Sequence, residues 1–252
     1  MGLFVLLLIT GLAFPVNYYV SDAIGDDSTG DGSEGTPWKT IDHARSALHA
    51  GDTLYIMAGT YNEVVGGSYA GNWRTGTSAQ HITITNYNDD VVILDGTGLS
   101  FWAYGGLFTM TSEPSLESDY YDISNLIIQN VPKITGTGEY SAMMFGGCDN
   151  ITLTNITVRN LSCTNGIRFD GNSSNITVTD CTIGSASYAQ IRMTDVDTFT
   201  FTDNVIITSS GAGIHGKGSN GTIYGNVIDA GSNGLHLYAL SNTTITQNYI
   251  YD

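Results

Sequence analysis

A segment of eight residues recurs along the second half of this chain. ITLTNITV starts at Ile151, ITVTDCTI at Ile176, FTFTDNVI at Phe199, GTIYGNVI at Gly221 and TTITQNYI at Thr243, with starts 25, 23, 22 and 22 residues apart. YDISNLII at Tyr121 is a degenerate copy 30 residues before the first of these, and HITITNYN at His81 reads as another. In each copy apolar residues alternate with Thr, cross a polar corner and alternate again, and period-two alternation means a strand with one buried face. A further alternating segment lies between the copies: GIRF at Gly166, QIRM at Gln190, GIHG at Gly213 and GLHL at Gly234. Three short strands in each repeat, joined by Gly, Asn, Asp and Ser corners, are too regular for a hairpin-based sandwich. They predict an all-β chain, a single-stranded parallel β-helix in which each strand pairs with its equivalent one turn later.

The same register predicts a ladder. Asn204, Asn226 and Asn248 share one corner position, with Cys181 and Ile156 in the turns before them, so the stacked amides should hydrogen-bond along the axis. An open solenoid end exposes an apolar cross-section and needs a cap. The stretch PWKTIDHARSALHAGD, Pro37 to Asp52, reads as a short amphipathic helix with Ile41, Ala44 and Leu48 on one face and Gly51 at its stop. At the other end the sequence stops at Asp252 on a fresh strand, which leads us to expect further coils or a covering partner there. The expected organisation is residues 1–16 as a signal peptide, 17–62 as an N-terminal strand, acidic loop and capping helix, and 63–252 as the coils.

Charge narrows the partners. The formal charge is −16 and Lys plus Arg number only eight, which argues against nucleic acid, whose phosphates need clustered cations. The apolar run from Leu3 to Phe14, closed by Pro15, has the length of a signal-peptide core and is too short to span a bilayer, so the mature chain is expected to lack a membrane span and to be secreted or held at the cell surface. Cys148, Cys163 and Cys181 match no metal spacing and allow at most one disulfide. Seven N-x-S/T sequons, at Asn150, Asn155, Asn160, Asn172, Asn175, Asn220 and Asn242, are compatible with a glycoprotein, although an Asn/Thr-rich repeat also generates such triplets by chance.

The run YYVSDAIGDDSTGDGSEGTPWKTIDHARSALHAGDTLYIMAGTYNE, Tyr18 to Glu63, adds a family signal. It resembles the N-terminal segment of right-handed β-helix proteins of the pectate-lyase-like superfamily, in which a YYVS-type strand, a Gly/Asp/Ser loop, a GTPWKTI-type segment and a GDT…GTYNE-type segment open the helix. The resemblance implies a right-handed coil. It leaves the reaction open, because lyases, hydrolases, epimerases and non-catalytic surface proteins share that fold.

Aligning the segments between the repeats puts Arg168, Arg192, His215 and His236 at one outward position on four consecutive turns, with Met144 before them. Turns about 4.8 Å apart make this a stripe roughly 14 Å long. Two positions on come Asp170, Thr194, Lys217 and Tyr238. Such a concentration of cations in an acidic chain suits an acidic polysaccharide, with Arg168, Asp170 and Tyr238 as binding residues. The chemistry it suggests is β-elimination from a uronic-acid-containing glycan, which needs a base, a cation for the enolate-like charge and an acid for the leaving oxygen. Lys217, its pKa lowered by Arg192, His215 and His236, is the expected base, Arg168 and Arg192 the carboxylate holders, and His236 or Tyr238 the acid. What the resemblance implies is a Lys or Arg acting as base, as superfamily lyases often have on such a face; it matches no lyase signature residue by residue.

Other readings attach to other residues. The loop Asp22 to Gly35 carries Asp26, Asp27 and Asp31, hard oxygen donors that make Ca²⁺ the one cofactor to expect, although the D-x-D-x-D-G order is absent. A non-catalytic surface or adhesion protein is the alternative to a lyase. The stacked T-x-T rows at Thr152/Thr154, Thr177/Thr179, Thr200/Thr202 and Thr244/Thr246, broken at Tyr224, resemble an ice-binding face or simply reflect the preference for Thr on solvent-facing strands.

Overall fold

The computed structural model describes residues 14–66, 73–100, 105–111, 118–133, 138–208 and 210–252. The apolar leader therefore lies almost wholly outside the described residues. Every ladder between the strands is parallel, and the strands stack in three columns.

The first column holds the T-x-T segments. Tyr121–Ser124, Asp149–Thr154 and Ser174–Thr179 lie in it, followed by the second halves of the long strands Ala189–Thr202 and Ala212–Tyr224. The second column is built from short strands such as Ile127–Gln129, Thr157–Arg159, Thr182–Gly184 and Val205–Thr208. The third contains Gly106–Thr111, Ser141–Gly146, Asn165–Asp170, the first halves of the two long strands, and Asn233–Ser241. The alternation read from sequence is what packs the interior: Ile151, Ile176 and Phe199 are partners in successive turns and all are buried, while Thr152, Thr177 and Thr200 pair outward.

A row of rings runs through the core. Phe145 and Phe169 stack at 5.3 Å between centroids, and Phe169 and Phe201 at 6.3 Å. Gly221 makes room for this packing, since a Cβ there would come within 2.1 Å of the Phe199 ring. Cys148, Cys163 and Cys181 are buried, and burial pushes the Cys181 thiol up to about 11 and that of Cys163 to about 12. No disulfide links them.

The asparagine ladder forms as expected. Asn204 donates from both its backbone N–H and Nδ2 to Oδ1 of Asn226, at 3.0 and 2.9 Å, and Asn226 does the same to Asn248 at 3.0 and 2.8 Å. Oδ1 of Asn204 in turn accepts from the backbone N–H of Cys181 at 2.9 Å. The corners also explain the sequons. All seven sequon asparagines have positive φ, between 46° and 63°, the left-handed conformation that Asn tolerates best after Gly. An Asn corner followed by alternating Thr produces N-x-T as a by-product of the coil.

The N-terminal cap is shorter than the sequence pattern suggests. The α-helix spans only Ile41–Ala44, and the chain continues as turns, although Ile41, Ala44 and Leu48 are all buried against the first coil as predicted. Its first amides are already satisfied from outside the helix: Glu63 accepts from the N–H groups of Ile41 at 3.0 Å and Asp42 at 2.9 Å. Among the described residues no helix is long and apolar enough to cross a membrane.

Candidate functional site: an arginine, tyrosine and histidine face on the third column

The outward row predicted from sequence exists in register. Met144 pairs with Arg168, Arg168 with Arg192, Arg192 with His215, and His215 with His236. The inward neighbours Ile167, Ile191 and Ile214 are fully buried, whereas Leu235 and Leu237 on the last of these turns are only half-buried. Strand alternation, anchored by that core, holds the row outward.

The row is not a bare cationic stripe. Arg168 pairs with Asp170 on its own strand and with Glu139 at 3.2 Å, and Arg192 also pairs with Glu139. Two guanidinium groups and two carboxylates leave this cluster with no net charge. Arg168 is also largely buried, at 7 % exposure, so Asp170 serves to hold it and neither residue presents itself freely to a ligand. Nε of Arg168 and Oδ1 of Asp170 are buried without a hydrogen-bond partner, and Nη1 of Arg168 has the Glu139 ion pair but no aligned hydrogen bond.

Beside the arginines the face turns aromatic. His215 Nε2 lies 3.0 Å from the Tyr188 hydroxyl, and the His215 ring sits 4.8 Å from both the Tyr188 and His236 rings and 5.5 Å from Tyr238. The Arg192 guanidinium packs over the Tyr188 ring at 5.6 Å. His215 is thereby covered, at 7 % exposure, whereas Tyr188 and Tyr238 are 43 % and 56 % exposed and His236 faces solvent. Burial first, then the charges of His236 and Arg192, hold the His215 pKa below its ordinary value, which favours the neutral ring.

Lys217 departs from expectation twice. Its strand slips register between Gly216 and Lys217, so Lys217 faces Ala239 and not Tyr238. Gly216 supplies the backbone for that slip, with φ of +135° and no room for a Cβ against the Met193 carbonyl. Lys217 Nζ then reaches Asp195 Oδ1 at 2.7 Å, and that hydrogen bond raises the lysine pKa, the opposite of the lowering a base requires. The pair lines an open groove of about 460 Å³ with Asn172, Asp197 and Ser219, to one side of the tyrosine and histidine rings.

The acidic loop uses its carboxylates on itself. Asp26 accepts from the amides of Ser28 and Thr29, Asp31 from Ser33 and Thr36, and Asp27 from Lys39 and Thr40. These are turn-forming bonds, and the three side chains do not converge on a common point; among the described residues no group of three or more His, Cys, Asp or Glu is arranged to hold a metal.

Residues 18–232 match the family described as "Pel9A-like, right handed beta helix region". The chain belongs to this Pel9A-like family. The family fixes the right hand of the coil and agrees with the resemblance carried by Tyr18 to Glu63. The chain is 28 % identical over 227 residues to the uncharacterized protein YwoF of Bacillus subtilis (strain 168), covering 81 % of this chain and 44 % of that protein. It thus spans less than half the length of that relative. Among solved structures, XylC in complex with xylose superposes with a TM-score of 0.65 at 11 % identity, over 93 % of this chain and 66 % of that one. Pectate lyase Pel9A superposes with a TM-score of 0.57 at 15 % identity, over 94 % of this chain and 64 % of that one. At such identities the likeness concerns the Pel9A-like fold.

Tyr188 and Glu139 escaped the sequence reading of this Pel9A-like chain. Both precede the third-column strands, at the rim where the turn meets the sheet, so neither falls in an alternating position. The available signal was their spacing: Glu139 lies two residues before Ser141, and Tyr188 one before its partner-column residue Ala189.

Proposed function

We propose that this protein acts on a uronic-acid-containing polysaccharide laid over the Arg192, Tyr188, His236 and Tyr238 face, and cleaves it by β-elimination. The observation that carries the reading is the hydroxyl of Tyr188, a residue 43 % exposed, lying 3.0 Å from Nε2 of a covered His215 whose neutral form burial favours. A neutral imidazole accepts the phenolic proton as the Tyr188 oxygen takes the proton α to the substrate carboxylate. The electron pair released from that C–H bond forms the new C=C bond as the glycosidic C–O bond breaks. The leaving oxygen takes a proton from His236, exposed on the next turn. Arg192 offsets the charge that builds on the carboxylate, and Tyr238 offers a ring for a sugar to stack on.

Lys217 is left out of this scheme because its ammonium is held by Asp195. His215 acts through Tyr188 and is a positioning residue. Membership of the Pel9A-like family and the superposition on a pectate lyase support a polysaccharide as partner. The apolar run Leu3 to Phe14 supports export, the compartment where such polymers are met.

The test is the ultraviolet absorbance of the unsaturated product on a panel of uronic-acid polymers. The reading expects product from at least one polymer. Binding without product on every polymer would make the protein a non-catalytic glycan-binding surface protein.

A further inference from the structure

Glu139 occupies a position that the proposed substrate also needs. Its carboxylate lies between Arg168 and Arg192, within 3.2 Å of the first and in direct contact with the second. The two arginines are not equivalent. Arg168 is buried and has Asp170 as a second partner, whereas Arg192 takes Glu139 alone among the described carboxylates and lies beside the exposed Tyr188 ring. Arg192 is therefore the guanidinium a ligand can reach, and the fork it offers suits one carboxylate at a time. Glu139 is also the most exposed member of the cluster, with a third of its side chain open to solvent.

We infer that Glu139 is an internal stand-in for the substrate carboxylate: it fills the uronate position in the free protein, and a bound uronate displaces it from Arg192. This rests on the glycan reading above and assigns Glu139 to selectivity. With Glu139 in place the cluster is neutral, so an acidic sugar gains only the difference between its own carboxylate and the one it replaces. A glycan has to align several sugars on the face to complete the exchange, which disfavours small stray carboxylates.

The experiment is isothermal titration of the wild type and Glu139→Gln with trigalacturonate, trimannuronate and, as the uncharged control, maltotriose. Glu139→Gln keeps the shape and removes the competing charge, so an acidic trisaccharide should bind about tenfold more tightly, with the gain shrinking as salt is added and no gain for maltotriose. Glu139→Ala should show the same direction, and unchanged melting of both variants establishes that they fold. Unchanged or weaker acidic binding by Glu139→Gln overturns the inference, because it would mean that Glu139 merely props up the arginines. Failure of Glu139→Gln to bind either acidic trisaccharide overturns it as well. Product formation by the wild type with no gain in Glu139→Gln removes this inference and leaves the elimination reading standing; tighter binding without product does the reverse.

Discussion

The proton that matters in this account sits between two residues on neighbouring turns. Tyr188→Phe keeps the ring under Arg192 and removes the hydroxyl, so it should lower the elimination rate by roughly 100-fold or more while leaving the melting temperature unchanged. An enzyme that survived this change and lost its activity on Lys217→Ala would return the base to Lys217. The depressed pKa of His215 adds a pH prediction. The ring must be neutral to accept the phenolic proton, so the acid limb of the kcat profile should fall below the ordinary value of 6.5, measured by rates across pH. The outward row Arg168, Arg192, His215 and His236 was legible in the sequence because strand alternation has a fixed period. Glu139 and Tyr188 were not, because they stand at turn rims where no period applies, and the alignment of Lys217 with Tyr238 failed because the register slips at Gly216 and sets Lys217 against Ala239. Charge was the other blind spot: a column alignment shows which cations stack, but not that Glu139 reaches across two turns to neutralise them.

The elements that hold this site are corners as much as strands. The Asn204, Asn226 and Asn248 ladder satisfies backbone groups that the turns leave buried, including the carbonyls of Val178 and Phe201, each 2.9 Å from an asparagine Nδ2. Asn226→Leu should therefore cost about 3 kcal/mol of stability, read from urea melts, since it strips partners from the backbone N–H and the Nδ2 of Asn204 and from the Phe201 carbonyl. A change near zero would mean that water replaces the amide. This ladder could be read directly from the repeat, because one residue type at one corner position has a single geometric meaning. The cap helix was legible in its buried face, Ile41, Ala44 and Leu48, but not in its length. Local pattern fixes which side chains point inward; the turns after Ala44 keep Leu48 inward without continuing the helix.

At the scale of the molecule, parallel stacking makes each turn the template for the next, and carboxylates tie successive turns together. Asp95 accepts from Thr97, Gln129 and Asn130, and these bonds, outweighing its burial, bring its pKa down to about 2; Asp26, Asp27, Asp31 and Asp197 are also lowered. For a group whose folded pKa is depressed, the stabilisation is present above the unfolded value of 3.8 and is lost as pH falls towards 2. Urea midpoints should accordingly fall across that window, and a flat profile would contradict the role given to these bonds. The fold itself was legible because five copies spaced 22 to 25 residues apart admit few architectures, and the Pel9A-like family assignment agrees with it. The reaction was not, because one coil supports many chemistries and the proposed base, Tyr188, stands at a rim where no period applies. The most direct test of the central claim is the initial rate of unsaturated product from uronic-acid polymers, measured side by side for the wild type and Tyr188→Phe. Elimination with Tyr188 as base requires product from at least one polymer and a rate roughly 100-fold or more lower for the variant; no product from any polymer, or equal rates for the two proteins, would contradict it.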